Sequence, residues 1–370
     1  MTNPLARLPD FGQSVWYDFI RRDLVQDGTL DRYILEDKLA GMTSNPAIFK
    51  DAIAKSDLYD EDIRAADSAL DAETLFERIA VAEIQAAADR FQPVFEATKG
   101  RDGYVSLEVS PILAHDTEGT TKEARRLWEA CDRQNVMIKI PGTVEGLPAI
   151  ETCLAEGINV NVTLLFGVER YRAVMDAWMR GLERRVEAGH PIDTIASVAS
   201  FFVSRVDSLV DATIEGHPSQ DALAPFKNKL GIANARVAYQ AWEEMVRDAP
   251  RFAALKEHGA MVQRPLWAST STKDPALPND YYMEALIGPD TVNTVPPKTY
   301  EDYRENGDPA NRIEEDLDGA RAALDALATA GIDFEALTMR LEVEGVKKFA
   351  DAYEALLTSI TAKREQIKAN

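Results

Sequence analysis

Short apolar, often β-branched runs alternate with longer amphipathic segments along most of the chain. A short run of this kind is typical of a buried strand, whereas an apolar stripe that recurs every three to four residues indicates a helix. We predict strands at Val15–Phe19, Met42–Asn45, Tyr104–Ser110, Val136–Ile140, Ile158–Thr163, Ile195–Ser200, Ala260–Ala268 and Thr291–Val295.

Helical periodicity occupies most of the segments between these runs. Leu75, Ile79 and Ala82 share one helical face, and the gap between the second and third runs is long enough for two or more helices. Near the end, a further apolar face carries Val346, Phe349, Ala350, Tyr353, Leu357 and Ile360. Eight strands alternating with helices fit a (β/α)8 barrel or a doubly wound sheet. No GxGxxG turn follows the first run, which weakens the dinucleotide-binding version.

Composition and charge limit the classes of partner. The formal net charge is −21 at pH 7, so we expect neither nucleic acid nor an anionic membrane to bind, and an anionic substrate would need local cations at its site. No apolar run is long enough to span a bilayer, and residues 1–10 lack the pattern of a secretory signal. The two cysteines, Cys131 and Cys153, have no metal-type spacing. We therefore expect a cytoplasmic protein with reduced thiols.

The sequence contains no feature that separates one domain from another. No low-complexity stretch, internal repeat or long Gly/Ser linker divides the sequence, so we predict a single domain over residues 1–370. The sequence leaves open whether the protein forms a homo-oligomer.

Polar side chains interrupt the runs that should form buried strands. They are Asp18 in VWYDFI, Asn45 in GMTSNP, Glu108 in YVSLEVSP, Lys139 in VMIKIPGT, and Asn161 with Thr163 in INVNVTLLF. Parallel strands covered on both faces usually read as continuous apolar runs, and burial of an unpaired charge costs on the order of several kcal/mol. These residues lie near the C-terminal ends of five predicted strands, and in a barrel such ends converge on the active-site pocket. The pattern therefore favours one shared site.

Lys139 is the candidate nucleophile. Its neighbours Val136, Met137, Ile138 and Ile140 are apolar, and such surroundings disfavour the ammonium form. A neutral amine can attack a carbonyl and form an imine. The alternative is a buried ion pair with Glu108 that has no chemical role.

At these residues the sequence resembles the transaldolase family. The matching segments occur in the family's order: VWYD, TSNP, SLEVSP, MIKIPGT, INVNVTLLF, ASFFVSRVD and LWASTSTK. The resemblance extends directly over residues 15–273, and the length and the LWASTSTK segment are most similar to the longer transaldolases. It implies an α/β fold, a (β/α)8 TIM barrel with additional helices.

The resemblance also implies roles in catalysis. Lys139 would form the Schiff base. Asp18 would take the proton from the C4 hydroxyl during carbon–carbon cleavage. Glu108 would move protons through a water held by Thr163 as the carbinolamine forms and dehydrates.

The remaining implied roles are in substrate binding. Asn45 and Asn161 would hydrogen-bond the hydroxyls of the dihydroxyacetone unit, and Ser200 would line the pocket. Arg205 would bind the substrate phosphate with help from Ser269.

One position departs from the compact family members, which carry an arginine just after the serine that corresponds to Ser269. Here Thr270, Ser271 and Thr272 follow, and then Lys273. We infer that Lys273 supplies the missing cation. The alternative for Arg205 is a surface ion pair with Asp207 or Asp211.

The implied reaction transfers a dihydroxyacetone unit from a ketose phosphate, sedoheptulose 7-phosphate or fructose 6-phosphate, to an aldose phosphate, glyceraldehyde 3-phosphate or erythrose 4-phosphate. It belongs to the non-oxidative pentose phosphate pathway and needs neither metal nor organic cofactor; the four histidines are scattered, in agreement with this. Two alternatives remain: a Schiff-base aldolase that acts on fructose 6-phosphate or a related sugar, and a non-catalytic barrel that binds sugar phosphates.

Overall fold

Eight parallel strands form a closed barrel in the computed structural model, which describes residues 3–369. Each strand pairs with the next along the chain, and the first pairs with the last through Gln13–Thr291 to Tyr17–Val295. The barrel confirms the (β/α)8 prediction and excludes the doubly wound sheet, which would have two open edges.

The strands are β1 Gln13–Asp18, β2 Gly41–Thr43, β3 Tyr104–Glu108, β4 Val136–Pro141, β5 Val160–Leu165, β6 Ser197–Phe202, β7 Arg264–Ala268 and β8 Thr291–Val295. Each of the eight predicted runs overlaps one strand, but several ends differ. β1 begins two residues early because Gln13 is buried and donates to Leu286 O and Thr291 Oγ1, at 2.8 and 3.0 Å. The predicted run begins at Val15 and leaves this buried glutamine outside the strand.

Helices surround the barrel. They are α1 Arg22–Gln26, α2 Thr29–Glu36, α3 Pro46–Ala54, α4 Asp60–Ala65, α5 Ala72–Ala97, α6 Thr117–Cys131, α7 Gly146–Glu156, α8 Val168–Glu187, α9 Ser204–Ile214, α10 Gln220–Leu223, α11 Leu230–Trp242, α12 Pro250–Glu257, α13 Tyr281–Ala285, α14 Pro297–Asn306, α15 Leu317–Thr329 and α16 Phe334–Ala369. Shorter 3-10 turns occupy Leu5–Phe11, Pro111–Leu113 and Ala224–Phe226, and a π-helical turn occupies Glu243–Arg247. The helices α3, α4 and α5 fill the long gap after β2, as predicted.

Alternating side chains of the strands belong to two apolar clusters. On β4, Ile138 and Ile140 pack into the larger cluster that includes residues of the surrounding helices, whereas Met137 packs with Trp16 and Leu266 of other strands. Lys139 therefore shares the strand face of Met137, because side chains two residues apart point the same way. This face is the barrel interior.

The C-terminal helix α16 lies over the mouth of the barrel. It packs against α3, α9 and the 3-10 turn after β3, all of which follow the C-terminal ends of strands. Gly345 lets it approach β5 closely, since a Cβ at this position would lie 3.2 Å from a methyl of Leu164. None of the helices in residues 3–369 is long and apolar enough to cross a membrane.

Candidate active site

A cavity of about 250 Å³ opens at the C-terminal end of the barrel, under α16. Eight of the ten predicted site residues line it: Asp18, Asn45, Lys139, Thr163, Ser200, Arg205, Ser269 and Lys273. The other two, Glu108 and Asn161, flank Lys139 on the neighbouring strands, where they are its register partners. The structure therefore places all ten predicted residues in or beside one cavity.

Lys139 lies on the floor of this cavity. Its side chain is 6% exposed, and Nζ donates a hydrogen bond of 3.2 Å to the backbone oxygen of Ser44. The nearest carboxylate oxygen, Glu108 Oε2, is 3.9 Å away, too far for a hydrogen bond. The amine therefore faces the cavity with one hydrogen bond to the backbone and one loose ionic contact.

Glu108 is buried beside Lys139 and behind the cavity wall. Its side chain is 3% exposed, and neither carboxylate oxygen has a hydrogen-bond partner among the described residues. Burial raises the pKa of Glu108 to about 7, against the opposing charge of Lys139. The buried hydroxyl of Thr163 likewise has no partner within residues 3–369. Both groups therefore keep unused hydrogen-bonding capacity beside Lys139.

Asp18 is the last residue of β1 and belongs to a chain of side-chain hydrogen bonds. Thr43 Oγ1 lies 2.7 Å from Asp18 Oδ1 and 2.6 Å from the hydroxyl of Thr294. Burial raises the pKa of Asp18, while Lys139, the Thr43 hydrogen bond and Arg205 act in the opposite direction. The carboxyl group thus lines the cavity with its orientation fixed by Thr43.

The two predicted amide residues differ in their surroundings. Asn45 is the N-cap of α3, and its side-chain oxygen accepts a 3.1 Å hydrogen bond from Ile48 N. The cap leaves the amide nitrogen of Asn45 available as a donor at the cavity. Asn161 is fully buried, donates to Ser106 Oγ at 3.1 Å and accepts from Ser200 Oγ at 2.7 Å. In this arrangement Asn161 orients Ser200 from behind the cavity wall.

Arg205 lies in the first turn of α9, three residues after the end of β6 at Phe202. Its Cζ lies 5.0 Å from the ring centre of Phe202 and 5.8 Å from that of Phe349. Burial lowers the pKa of Arg205, against the charge of Asp18.

The alternative ion pair of Arg205 is not formed. Asp207 accepts hydrogen bonds from Gly231 N and Tyr282 Oη, at 2.7 and 2.8 Å, and Asp211 accepts from Asn228 N. Within residues 3–369, no carboxylate lies within salt-bridge distance of Arg205. The guanidinium group is therefore turned toward the cavity and not toward its own helix.

Ser269 and Lys273 lie in the loop after β7. The Ser269 hydroxyl is 3.0 Å from that of Ser204, and its backbone is left-handed with φ of 55°, a conformation that is uncommon for residues other than glycine. Lys273 Nζ donates to Ser271 Oγ at 2.6 Å. Partial burial, then the charges of Arg205 and Lys348, lower the pKa of Lys273.

Ten of the cavity residues are not among the predicted site residues, and Thr43, Thr294, Lys348 and Phe349 are four of them. The two threonines are ordinary strand residues in sequence, and only the barrel register brings their hydroxyls together. Phe349 was predicted only as part of the apolar face of the last helix. Lys348 has no distinguishing signal in the sequence.

Comparison with known proteins decides the family. The model of the family "Transaldolase/Fructose-6-phosphate aldolase" matches residues 15–360. The chain belongs to this family. The prediction of the family, and with it of an enzyme, is confirmed.

Relatives that match over nearly their whole length are named transaldolase. A protein named transaldolase from Acidothermus cellulolyticus is 48% identical over 370 residues, which is 100% of this chain and 99% of the relative. The transaldolase of Thermobifida fusca is 48% identical over 97% of this chain and 98% of its own length. That of Mycolicibacterium smegmatis is 45% identical over 99% of each chain. The similarity therefore includes α16 and the loop after β7.

Proposed function

We propose that this protein is a transaldolase that transfers a dihydroxyacetone unit between sugar phosphates through a Schiff base on Lys139. The donors are sedoheptulose 7-phosphate or fructose 6-phosphate, and the acceptors are glyceraldehyde 3-phosphate or erythrose 4-phosphate. This is a step of the non-oxidative pentose phosphate pathway. One observation carries the proposal: a lysine amine on the cavity floor, with one buried carboxyl beside it and a second on the cavity wall.

The first step is formation of the imine. The Lys139 nitrogen attacks C2 of the ketose, and the carbinolamine that results loses its C2 oxygen as water. Protons must be moved at both stages. A carboxyl whose pKa is about 7 can give and take them at neutral pH, so Glu108 serves this step, with a water bonded to the Thr163 hydroxyl as the relay.

The second step breaks the C3–C4 bond. Asp18 takes the proton of the C4 hydroxyl, C4 becomes the aldehyde carbon of the departing aldose phosphate, and the bonding electrons pass through C3 into the protonated imine. The three-carbon unit stays attached to Lys139 until the acceptor aldehyde arrives. The bond then forms in the reverse direction, and Asp18 returns its proton to the new hydroxyl. Hydrolysis of the imine releases the product.

The three-carbon unit needs hydrogen bonds to its hydroxyls while it waits. The amide nitrogen of Asn45 and the hydroxyl of Ser200 line the cavity and are suited to this role. We also keep the prediction that Asn161 bonds directly to the substrate. Its amide now bonds to Ser106 and Ser200, so a direct contact requires a change of partner.

The phosphate is bound by the cationic residues at the cavity. Arg205 is free of carboxylate partners within the described chain, and its planar fork can bind phosphate through two parallel hydrogen bonds. Ser269 and Lys273 line the same cavity from the loop after β7. Phosphate binding on loops after the later strands is frequent in barrel enzymes.

Covalent trapping tests the proposal. The protein is reduced with borohydride in the presence of fructose 6-phosphate, and the modified peptide is mapped by mass spectrometry. We expect a single adduct on Lys139 that disappears in Lys139→Ala, whereas Lys122→Ala, a change of an exposed lysine on α6, leaves it intact. An adduct on another lysine, or none in a folded protein, would refute the Schiff-base assignment; the absence of any adduct is also what a non-catalytic sugar-phosphate-binding barrel predicts.

A second candidate function is an aldolase that releases free dihydroxyacetone, because the description of the matching family names fructose-6-phosphate aldolase as well. Product analysis separates the two. With fructose 6-phosphate and glyceraldehyde 3-phosphate together, a transaldolase forms sedoheptulose 7-phosphate only if erythrose 4-phosphate is first released and then used as an acceptor. Supplying fructose 6-phosphate with erythrose 4-phosphate therefore gives the direct assay. We expect sedoheptulose 7-phosphate and little free dihydroxyacetone.

A further inference from the structure

The C-terminal helix α16 contributes three residues to the cavity: Lys348, Phe349 and Ala352. Ala352 is three residues from Phe349 and four from Lys348, and residues at these spacings are neighbours on a helix surface, which explains why this set faces the barrel together. Lys347 points elsewhere, because its Nζ forms an ion pair of 2.7 Å with Asp351 one turn later. Two successive lysines of α16 thus have different surroundings, one facing the cavity and one facing solvent.

Phe349 fixes the position of the helix over the site. Its ring centre is 6.0 Å from Lys139 Nζ and 5.8 Å from Arg205 Cζ. At these distances the ring attracts both cations, and Phe349 lines the cavity together with them. Phe349 is buried, whereas Lys348 next to it on the helix is exposed and lines the same cavity.

Lys348 joins two other cations at the cavity, Arg205 and Lys273. Within residues 3–369, none of the three has a carboxylate at salt-bridge distance, although the chain carries 62 acidic residues. The charge of Lys348 is close enough to contribute to the lowered pKa of Lys273. Arg205 and Lys348 both repel the charge of Lys273, and an anion bound between the three would be attracted by all of them.

We propose that Lys348 is a third phosphate-binding residue, supplied by the C-terminal helix, and that it helps to determine the preference for phosphorylated substrates. The proposal rests on the proposed function for the identity of the substrate, but the anion site itself does not require turnover. Lys348 is exposed at the rim, so its flexible stem can follow the phosphate as the substrate enters and leaves.

Steady-state kinetics of Lys348→Gln provides the first test, with Lys347→Gln as the matched control on the same helix turn. We expect KM for fructose 6-phosphate to rise about three- to tenfold in Lys348→Gln, as for an exposed charge on an anion, with kcat nearly unchanged. Dihydroxyacetone-type donors without phosphate should be used equally by both variants and by the wild type. Equal KM values for fructose 6-phosphate in all three proteins would overturn the assignment.

Calorimetric titration with inorganic phosphate, and with a phosphorylated sugar alcohol, gives a readout that needs no chemistry at Lys139. A sugar alcohol has no carbonyl and cannot form an imine. Weaker binding of both ligands to Lys348→Gln, with normal binding to Lys347→Gln, supports the phosphate role even if the wild type shows no transfer activity; in that case only the proposed function fails. Unchanged binding to a folded Lys348→Gln refutes the phosphate role, whatever the activity.

Discussion

The amine of Lys139 and the carboxyl of Glu108 lie side by side in the barrel, with Nζ 3.9 Å from Oε2 and side chains 6% and 3% exposed. The two residues are register partners on β4 and β3, so the strands themselves fix this spacing. It is close enough for each charge to stabilise the other and wide enough to leave both without a direct hydrogen bond between them. We interpret this pair as a nucleophile with an adjacent proton-transfer group.

Glu108 should control the rate of imine formation. Since burial raises the pKa of Glu108 to about 7, its carboxyl changes charge near neutral pH. Glu108→Gln should slow covalent trapping by roughly 10²–10⁴-fold, the usual contribution of a general acid–base group. Rapid-quench borohydride trapping from pH 5.5 to 8.5 should show an inflection near pH 7 in the wild type and none in the variant. An inflection that persists in Glu108→Gln belongs to another group.

The same carboxyl should also affect stability. Its native pKa of about 7 lies above the ordinary value of 4.5, so the unfolded chain loses this proton first as the pH rises. The wild type should therefore become less stable relative to Glu108→Gln between about pH 4.5 and 7, with no further change above that range. Urea unfolding of both proteins at several pH values measures the difference. Glu344→Gln, a change of an exposed residue of α16, should show no such trend.

Asp18 should act at a different step from Glu108. Removal of the group that accepts the C4 proton leaves imine formation possible but blocks cleavage, so Asp18→Ala should accumulate the imine with fructose 6-phosphate. Single-turnover trapping should find a near-stoichiometric adduct that still contains six carbons. Thr43→Val removes the 2.7 Å hydrogen bond to Asp18 and should lower the cleavage rate less than loss of the carboxyl does. A folded Asp18→Ala that forms no imine at all contradicts this division of roles.

Arg205 should determine the affinity for the phosphate. Arg205→Ala should lower kcat/KM for phosphorylated donors roughly tenfold to a hundredfold, since a hydrogen bond between charged groups contributes about 1.5–3 kcal/mol. Lys273→Ala should act in the same direction but more weakly. Arg340→Ala, which breaks an exposed ion pair with Glu344 on α16, is the control and should leave the kinetics unchanged.

Comparison of donors tells a binding role of Arg205 from a structural one. An unphosphorylated dihydroxyacetone-type donor makes no contact with the phosphate site, so its kcat/KM should hardly change in Arg205→Ala. Equal losses for both kinds of donor would remove Arg205 from the phosphate site and indicate a disturbed cavity wall.

The sequence predicts the barrel and most of the site because both depend on local patterns. A lysine among β-branched residues, or a carboxylate at the end of an apolar run, is unusual in one strand and becomes informative when five strands repeat it. The sequence pattern does not show how deep each polar side chain lies in the barrel. Glu108 and Asn161 have the same signal as Asp18, yet the stagger of the strands puts them behind the cavity wall.

Contacts between distant segments are also absent from the pattern. Lys348 is one lysine among many on an amphipathic helix, and it reaches the cavity only because α16 crosses the barrel mouth. The hydroxyl pair of Thr43 and Thr294 depends on closure of the barrel between residues 251 positions apart. No local rule distinguishes these residues from ordinary helix or strand positions.

The last prediction separates stability from activity. At the N-terminal end of the barrel, opposite the cavity, Arg264 donates to Asp102 at 2.7 Å, and the side chains are 4% and 9% exposed. Arg264 also donates to Ser14 Oγ, which in turn donates to Asp102. Asp102→Ala leaves the buried guanidinium group without its counter-charge and should lower the free energy of unfolding by about 3–5 kcal/mol.

The control is Asp351→Ala, which breaks an exposed ion pair and should lower the free energy of unfolding by at most about 1 kcal/mol. Because neither pair touches the cavity, kcat and KM per folded molecule should match the wild type below the melting temperature of each variant; a large loss of kcat in folded Asp102→Ala would mean that the two ends of the barrel are coupled.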